Sequence, residues 1–246
     1  MTVNGVKLLQ LTHSLKLARE EQIVFIFNGS VSRIMCTPEN LEELAIGFLI
    51  SEGVVKNVKN ARDLKNTRDA GNRIKVYAEG DVVVAEYDGE PVSFKMHSSG
   101  CAGIYIDDKE LPSVEASERW TVEEIEEMLH LLETVEYRTT RGYHSAFIIG
   151  KDGVLARGID VGRHNAVDKA IGAAFLKDVD FSRTYLLISG RISKGIALKC
   201  VRAGIPLVAS KAAILDSAVE ICKRSGLSAV SFASGVAVAG KAVEGI

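Results

Sequence analysis

Cys101 is the residue of this chain whose type and setting most suit covalent chemistry. It stands in the small-residue run His97-Ser98-Ser99-Gly100-Cys101-Ala102-Gly103, with no bulky neighbour to bury it. A cysteine reacts as its thiolate, which requires access and surroundings that lower the thiol pKa from about 8.5. His97 is a group that could assist, although a lone loop histidine reads equally well as solvated. The other cysteines have different settings. Cys36 ends an apolar strand pattern, and Cys200 and Cys222 fall among Ile196, Leu198, Val201, Val219 and Ile221 at helical spacing. A free cysteine there packs as a small hydrophobe, and four cysteines in 246 residues make no disulfide scaffold.

Three further segments carry unusual residues where an α/β sheet would place a site, beyond the carboxyl ends of its strands. They are Gly162-Arg163-His164-Asn165, Ser189-Gly190-Arg191 and Ser231-Phe232-Ala233-Ser234-Gly235. The first two precede helical patterns. Free N–H groups and the dipole at a helix N-terminus attract anions, and guanidinium groups bind phosphate through two parallel hydrogen bonds. Ordinary strand-to-helix turns with surface arginines are the competing reading. Standard nucleotide fingerprints are absent: Gly190 and Gly195 have P-loop spacing, but Ile196 and Ala197 stand where Lys and Ser/Thr belong. Zinc is not expected, because no cysteine pair has C-x-x-C spacing and His144 is followed by Ser145-Ala146 rather than x-Glu. No G-x-S-x-G supports a serine hydrolase.

The elements that must position these groups follow from periodicity. Gln22–Met35 reads as a hairpin about Asn28-Gly29, and 73–87 as another about 78–80. Between them, 37–53 reads as a helix capped by Thr37 or Asn40 and ended by Gly53. The basic residues at steps of three through 56–69 suit a solvated face. Residues 105–120 suggest an exposed connection, and 121–134 an amphipathic helix with capping-box spacing at Thr121 and Glu124. The last part opens with a hairpin about 151–153, then a helix capped through Asn165-x-x-Asp168. Short apolar strands at 184–189, 205–210 and 227–234 alternate with helices at 192–203 and 211–225. This pattern implies parallel strands covered on both faces. The fold class is therefore α/β, with a smaller α+β region over 1–118 carrying the Cys101 loop. A three-layer α/β/α sandwich over 119–246 follows it.

Composition is that of a globular protein, with 47% hydrophobic and 25% charged residues. The net charge of -2 gives no overall footprint for nucleic acid or an anionic membrane. No apolar run approaches the ~18 residues of a spanning helix and no secretory signal is visible, so a cytoplasmic location is expected.

Taken together, GYHSAFI (142–148), ARGIDVGRHNAVDKAIG (156–172), LLISGR (186–191), AGIPLVAS (203–210) and LEELAIGFLISEG (41–53) resemble the FdhD-type formate dehydrogenase accessory proteins. The resemblance runs roughly from Asn40 to Ser234. It implies a sulfurtransferase acting as a sulfur carrier, which takes sulfur from a cysteine desulfurase as a persulfide. The sulfur then passes to the molybdenum (or tungsten) bis-molybdopterin guanine dinucleotide destined for formate dehydrogenase. A C-terminal domain like the cytidine deaminase fold without its zinc site is also implied. Cys101 matches the first cysteine of the family's C-G-x-C-type loop, while Ile104 replaces the second. The family's cofactor-contacting stretch matches Phe232, Ala233, Ser234, Gly235, Val236 and Ala237, without the basic residues common there. His164, Gly190 and Arg191 would join it in holding the cargo, for which a guanine nucleotide is a mimic. A homodimer is compatible with this reading. A non-catalytic cofactor-binding chaperone or regulator is the alternative that the loss of the second cysteine suggests.

Protein purified without added metal should contain no stoichiometric zinc by elemental analysis, because no ligand set has the required spacing. One zinc per chain would reopen deaminase-like chemistry.

Overall fold

The structure, a computed structural model, describes residues 16–54, 74–87 and 111–245 in full, and the strands at 2–3, 6–7, 94–97 and 101–104 by their backbone. The first part contains β1 (Thr2–Val3), β2 (Val6–Lys7), β3 (Glu21–Phe27), β4 (Ser30–Cys36), α1 (Leu41–Ser51), β5 (Ile74–Glu79), β6 (Val82–Tyr87), β7 (Phe94–His97) and β8 (Cys101–Ile104). Next come α2 (Val122–Glu127), α3 (Val135–Thr140), β9 (His144–Gly150), β10 (Gly153–Asp160) and α4 (Arg163–Leu176). The chain ends with β11 (Tyr185–Ile188), α5 (Lys194–Ala203), β12 (Leu207–Ser210), α6 (Asp216–Ser225), β13 (Ser228–Ser231) and β14 (Val236–Val238).

Alternation makes the first sheet. Ile23, Phe25 and Phe27 of β3 are buried, as are Ile34 and Cys36 of β4 and Val83, Ala85 and Tyr87 of β6. Asn28 and Gly29 both take positive φ (45° and 83°), which a two-residue hairpin turn requires. The strand order is β4-β3-β6-β5, with β3 and β6 parallel and the other pairs antiparallel. Its apolar face packs on Leu44, Ala45, Phe48 and Leu49 of α1.

Residues Ile46 and Ile50, elsewhere on α1, belong to the core of the second sheet. Helix α1 is apolar nearly all round because it is buried between two layers. The second sheet has the order β10-β9-β11-β12-β13-β14, and β11, β12 and β13 are parallel. One face, with Ala146, Ile148, Leu186, Ile188, Val208 and Ala229, is covered by α4, α5 and α6. The other, with Phe147, Ile149, Tyr185, Leu187, Leu207 and Ala209, packs on Trp120, Ile125 and Leu132. Burial on both faces accounts for the short, wholly apolar strands.

Several local expectations are revised. The helix expected over 121–134 keeps its capping box, but α-helix gives way after Glu127 to a 3₁₀ turn, Met128–Leu132. In the connection expected to be exposed, Val114 and Trp120 are buried, and Trp120 stands edge-on to Tyr185 with centroids 5.2 Å apart. Helix α4 starts at Arg163, so Asn165 and Asp168 lie within it and neither caps it. Asn40 occupies the N-cap of α1 without a side-chain cap. Helices α5 and α6 begin later than periodicity suggested, because 192 and 214 form a parallel bridge between the loops. Strand β14, antiparallel to β13, was not expected from the sequence. The basic run 56–69 lies outside the described residues.

Helices α1 and α4 meet backbone to backbone. A Cβ at Gly47 would run into the Asp168 carbonyl, and one at Gly172 into the Glu43 carbonyl. Gly172→Ala should therefore cost about 3 kcal/mol or more in chemical denaturation, through forced separation of the helices. Gly204→Ala, at a helix end with φ 78° and open space around it, should cost only about 1 kcal/mol. Equal losses would contradict the close-approach account.

Candidate functional site

Because β11, β12 and β13 run parallel, the loops after them share one edge of the sheet, and hydrogen bonds lock them side by side. The Ser210 hydroxyl donates to the Gly190 carbonyl (2.6 Å), the Ile192 N–H to the Ala213 carbonyl (3.0 Å) and the Phe232 N–H to the Ser210 carbonyl (3.0 Å). Arg163, at the start of α4, packs over Gly190, where an added Cβ would lie 3.1 Å from the Arg163 Cβ. The edge thus carries Arg163, His164, Gly190, Arg191 and the 232–235 turn. Arg191 is exposed, Phe232 is half-buried against the Trp120 core, and Ala233–Val236 are exposed. Val236 and Ala237 lie in the edge strand β14.

Two helices end here without side-chain caps: α4 behind Gly162 and α5 behind Ser193. The dipole at such a helix start favours an anion. Among the described residues, Arg163 Nε, Ser193 Oγ and Ser145 Oγ are buried without a hydrogen-bond partner. A native fold rarely leaves such atoms unpaired, so ordered water or a bound group satisfies them. Burial, reinforced by the Lys199 and Arg163 charges, pushes the His164 pKa down to about 3, so its imidazole is neutral. His144 is likewise shifted downward, by burial and then Arg163, and its Nδ1 lies 3.2 Å from Ser189 Oγ. A cavity of about 270 Å³ beside Thr37, Asn40, Tyr143 and Arg157 is lined by none of these groups.

Cys101, expected in a loop, is the first residue of β8 and stands in register opposite His97 of β7. Strand β8 lies next to β4. The other three thiols are buried and free. Burial, followed by the Asp160 charge, pushes the Cys36 thiol up to about 12; burial lifts Cys222 to about 11 and Cys200 upward as well. None of the three supplies a thiolate near neutral pH.

Two buried charge networks escaped the sequence reading. Lys199 donates to Asp168 (2.8 and 3.0 Å), Glu52 (2.7 Å) and Ser51 (2.8 Å), all buried. Burial alone would lower the Lys199 pKa; the Asp168 and Glu52 carboxylates overcome it, and the net shift is upward. Lys169 pairs with Asp160 at 2.7 Å, both side chains almost wholly inaccessible. Lysines inside apolar helical faces were the one available signal.

The sequence profile of the FdhD/NarQ family matches residues 18–239. Proteins named "Sulfur carrier protein FdhD" include one from Streptomyces avermitilis, 32% identical, with 90% of this chain and 85% of that protein covered. One from Wolinella succinogenes is 31% identical, covering 88% and 77%. A crystal structure from Desulfotalea psychrophila, described as that of a formate dehydrogenase accessory protein, superposes with a TM-score of 0.68 at 23% identity, covering 88% and 84%. Among the described residues no helix is long and apolar enough to cross a membrane.

The neutral His164 has a consequence for acid stability. Its folded pKa, about 3, lies below the ordinary 6.5. Its contribution is therefore complete above pH 6.5 and is lost as pH falls from there toward 3, at about 1.4 kcal/mol per pH unit. Denaturation followed from pH 7 to 4 should show this slope, and His164→Gln should flatten it by one proton. An unchanged slope would place a solvated histidine at 164.

Proposed function

The chain belongs to the FdhD/NarQ family, and from that membership we propose that it carries sulfur on Cys101 to a guanine dinucleotide cofactor required by formate dehydrogenase. The Cys101 thiolate attacks the terminal sulfur of a cysteine desulfurase persulfide. A bond forms between Cys101 Sγ and that sulfur, the donor's S–S bond breaks, and the donor leaves as thiolate with no net oxidation. The cargo, molybdenum or tungsten bis-molybdopterin guanine dinucleotide, binds along the edge described above. The Sγ–S bond then breaks, sulfur passes to the metal, the reduced metal supplies two electrons, and Cys101 returns as thiolate. One thiol completes this cycle, so Ile104 in place of a second cysteine is no obstacle.

The division of the thiols carries the reading: Cys36, Cys200 and Cys222 are sealed in the core with raised pKa values, which leaves the transfer to Cys101. The dipoles at the N-termini of α4 and α5, which have no side-chain cap, suit the phosphates of the cargo, with Arg163 Nε and Ser193 Oγ unpaired beside them. Residues 1–118 would then bear the sulfur and 119–246 the cargo, in the cytoplasm, where thiols stay reduced.

After incubation with a cysteine desulfurase and cysteine, mass spectrometry should find a one-sulfur adduct on the Cys101 peptide and none on the other three. No adduct on Cys101 would favour a non-catalytic cofactor chaperone. GDP, as the probe for the cargo, should bind in calorimetry, and Arg163→Ala should weaken it about 10- to 100-fold by removing a charge-assisted contact. Equal affinities would put the phosphates elsewhere.

A further inference from the structure

Thr37, just beyond the end of β4, is held on every polar atom by Asp160 and Val161, which lead into α4, and by Lys169 within that helix. Its N–H donates to Asp160 Oδ2 at 3.0 Å, and its carbonyl accepts from Lys169 Nζ at 2.8 Å. Its hydroxyl accepts from the Val161 N–H at 3.1 Å. Asp160 completes the clamp. Its Oδ1 accepts from the Gly162 N–H (2.8 Å) and from Asn165 Nδ2 (3.0 Å), and Asn165 Nδ2 also donates to the Met35 carbonyl (3.0 Å). Thr37 and Asp160 are buried, and they are 123 residues apart in sequence.

The two sides of this clamp lead to different chemistry. One side is the end of β4, the strand next to β8, whose first residue is Cys101. The other is Asp160-Val161-Gly162-Arg163-His164, the turn that opens α4 at the cargo edge. We infer that Thr37 and Asp160 are positioning residues for sulfur delivery: they fix the Cys101 hairpin relative to the bound cargo. The inference rests on the function proposed above. Global cohesion of the two sheets has other sources, the Gly47–Gly172 backbone contact and the Lys199 network. A buried ion pair such as Asp160–Lys169 adds little net stability against an apolar replacement, so its value in this fold lies in the geometry it fixes. Transfer is sensitive to such geometry, since a displacement of about 1 Å at a reacting pair costs up to ~100-fold in rate.

Thr37→Val keeps the side-chain shape and both backbone bonds but removes the acceptor for the Val161 N–H; Thr37→Ser keeps the acceptor. Full-length proteins would be loaded with ³⁵S by a cysteine desulfurase and discharged either to cyanide or to isolated molybdenum bis-molybdopterin guanine dinucleotide. Cyanide needs no cargo edge. Thr37→Val should load, and discharge to cyanide, at the wild-type rate, yet deliver sulfur to the cofactor about 10- to 100-fold more slowly, with Thr37→Ser restoring delivery. Asn165→Ala, which removes the Met35 bond at a half-buried position, should show the same split and serves if the valine variant does not fold. Wild-type delivery by these variants, or cyanide and cofactor rates falling together, would overturn the inference. Wild-type protein that takes up no sulfur would instead sink the function on which it rests.

Discussion

The backbone contact between α1 and α4 is the constraint on which the rest of this structure depends. It exists because Gly47 and Gly172 place no side chain between the Asp168 and Glu43 carbonyls and the facing helix. With the helices that close, α1 serves two cores at once, offering Leu44, Phe48 and Leu49 to the four-stranded sheet and Ile46 and Ile50 to the six-stranded one. The same closeness brings Ser51 and Glu52 to Asp168 and Lys199, away from water. Removing one member of such a network leaves an uncompensated buried charge, at a cost of about 3–5 kcal/mol. The helix contact and the charges therefore enforce one relation between the sheets.

One edge of the six-stranded sheet has an electrostatic character of its own. The edge beyond β11, β12 and β13 holds Arg163, the imidazole of His164 kept uncharged by burial, and the starts of α4 and α5, which have no side-chain cap. Such groups suit an anion and need little reorganisation to receive it. Elsewhere, burial raises the pKa of Cys36, Cys200 and Cys222 and withholds their thiolates. A carrier needs this selectivity, because sulfane sulfur exchanges readily among accessible thiolates.

Local chemistry made much of the fold legible. Asn28-Gly29, the capping box at Thr121 and Glu124, and the short apolar strands from 184 onward each form what their residue types favour. Failures came where a distant partner decides. Asn165 and Asp168 have the spacing of a helix start, yet Asn165 reaches Met35 and Asp160, while Asp168 turns inward to Ser51 and Lys199. The α-helix over 121–134 yields to a 3₁₀ turn as Leu132 packs against the six-stranded sheet. The candidate cargo residues were found as three separate loops, and only the parallel strand order sets them on one edge. Of the two cap candidates, Asn40 takes the N-cap position, while Thr37 bonds Asp160, 123 residues downstream.

The central claim is that Cys101 delivers sulfur that formate dehydrogenase cannot do without. Its most direct test is formate dehydrogenase activity in a strain lacking its own FdhD-family protein, complemented with this chain or with its Cys101→Ala variant. Activity restored by the wild-type chain and not by an equally abundant Cys101→Ala protein is the predicted result. Activity restored equally by both would contradict a Cys101 persulfide as the carrier.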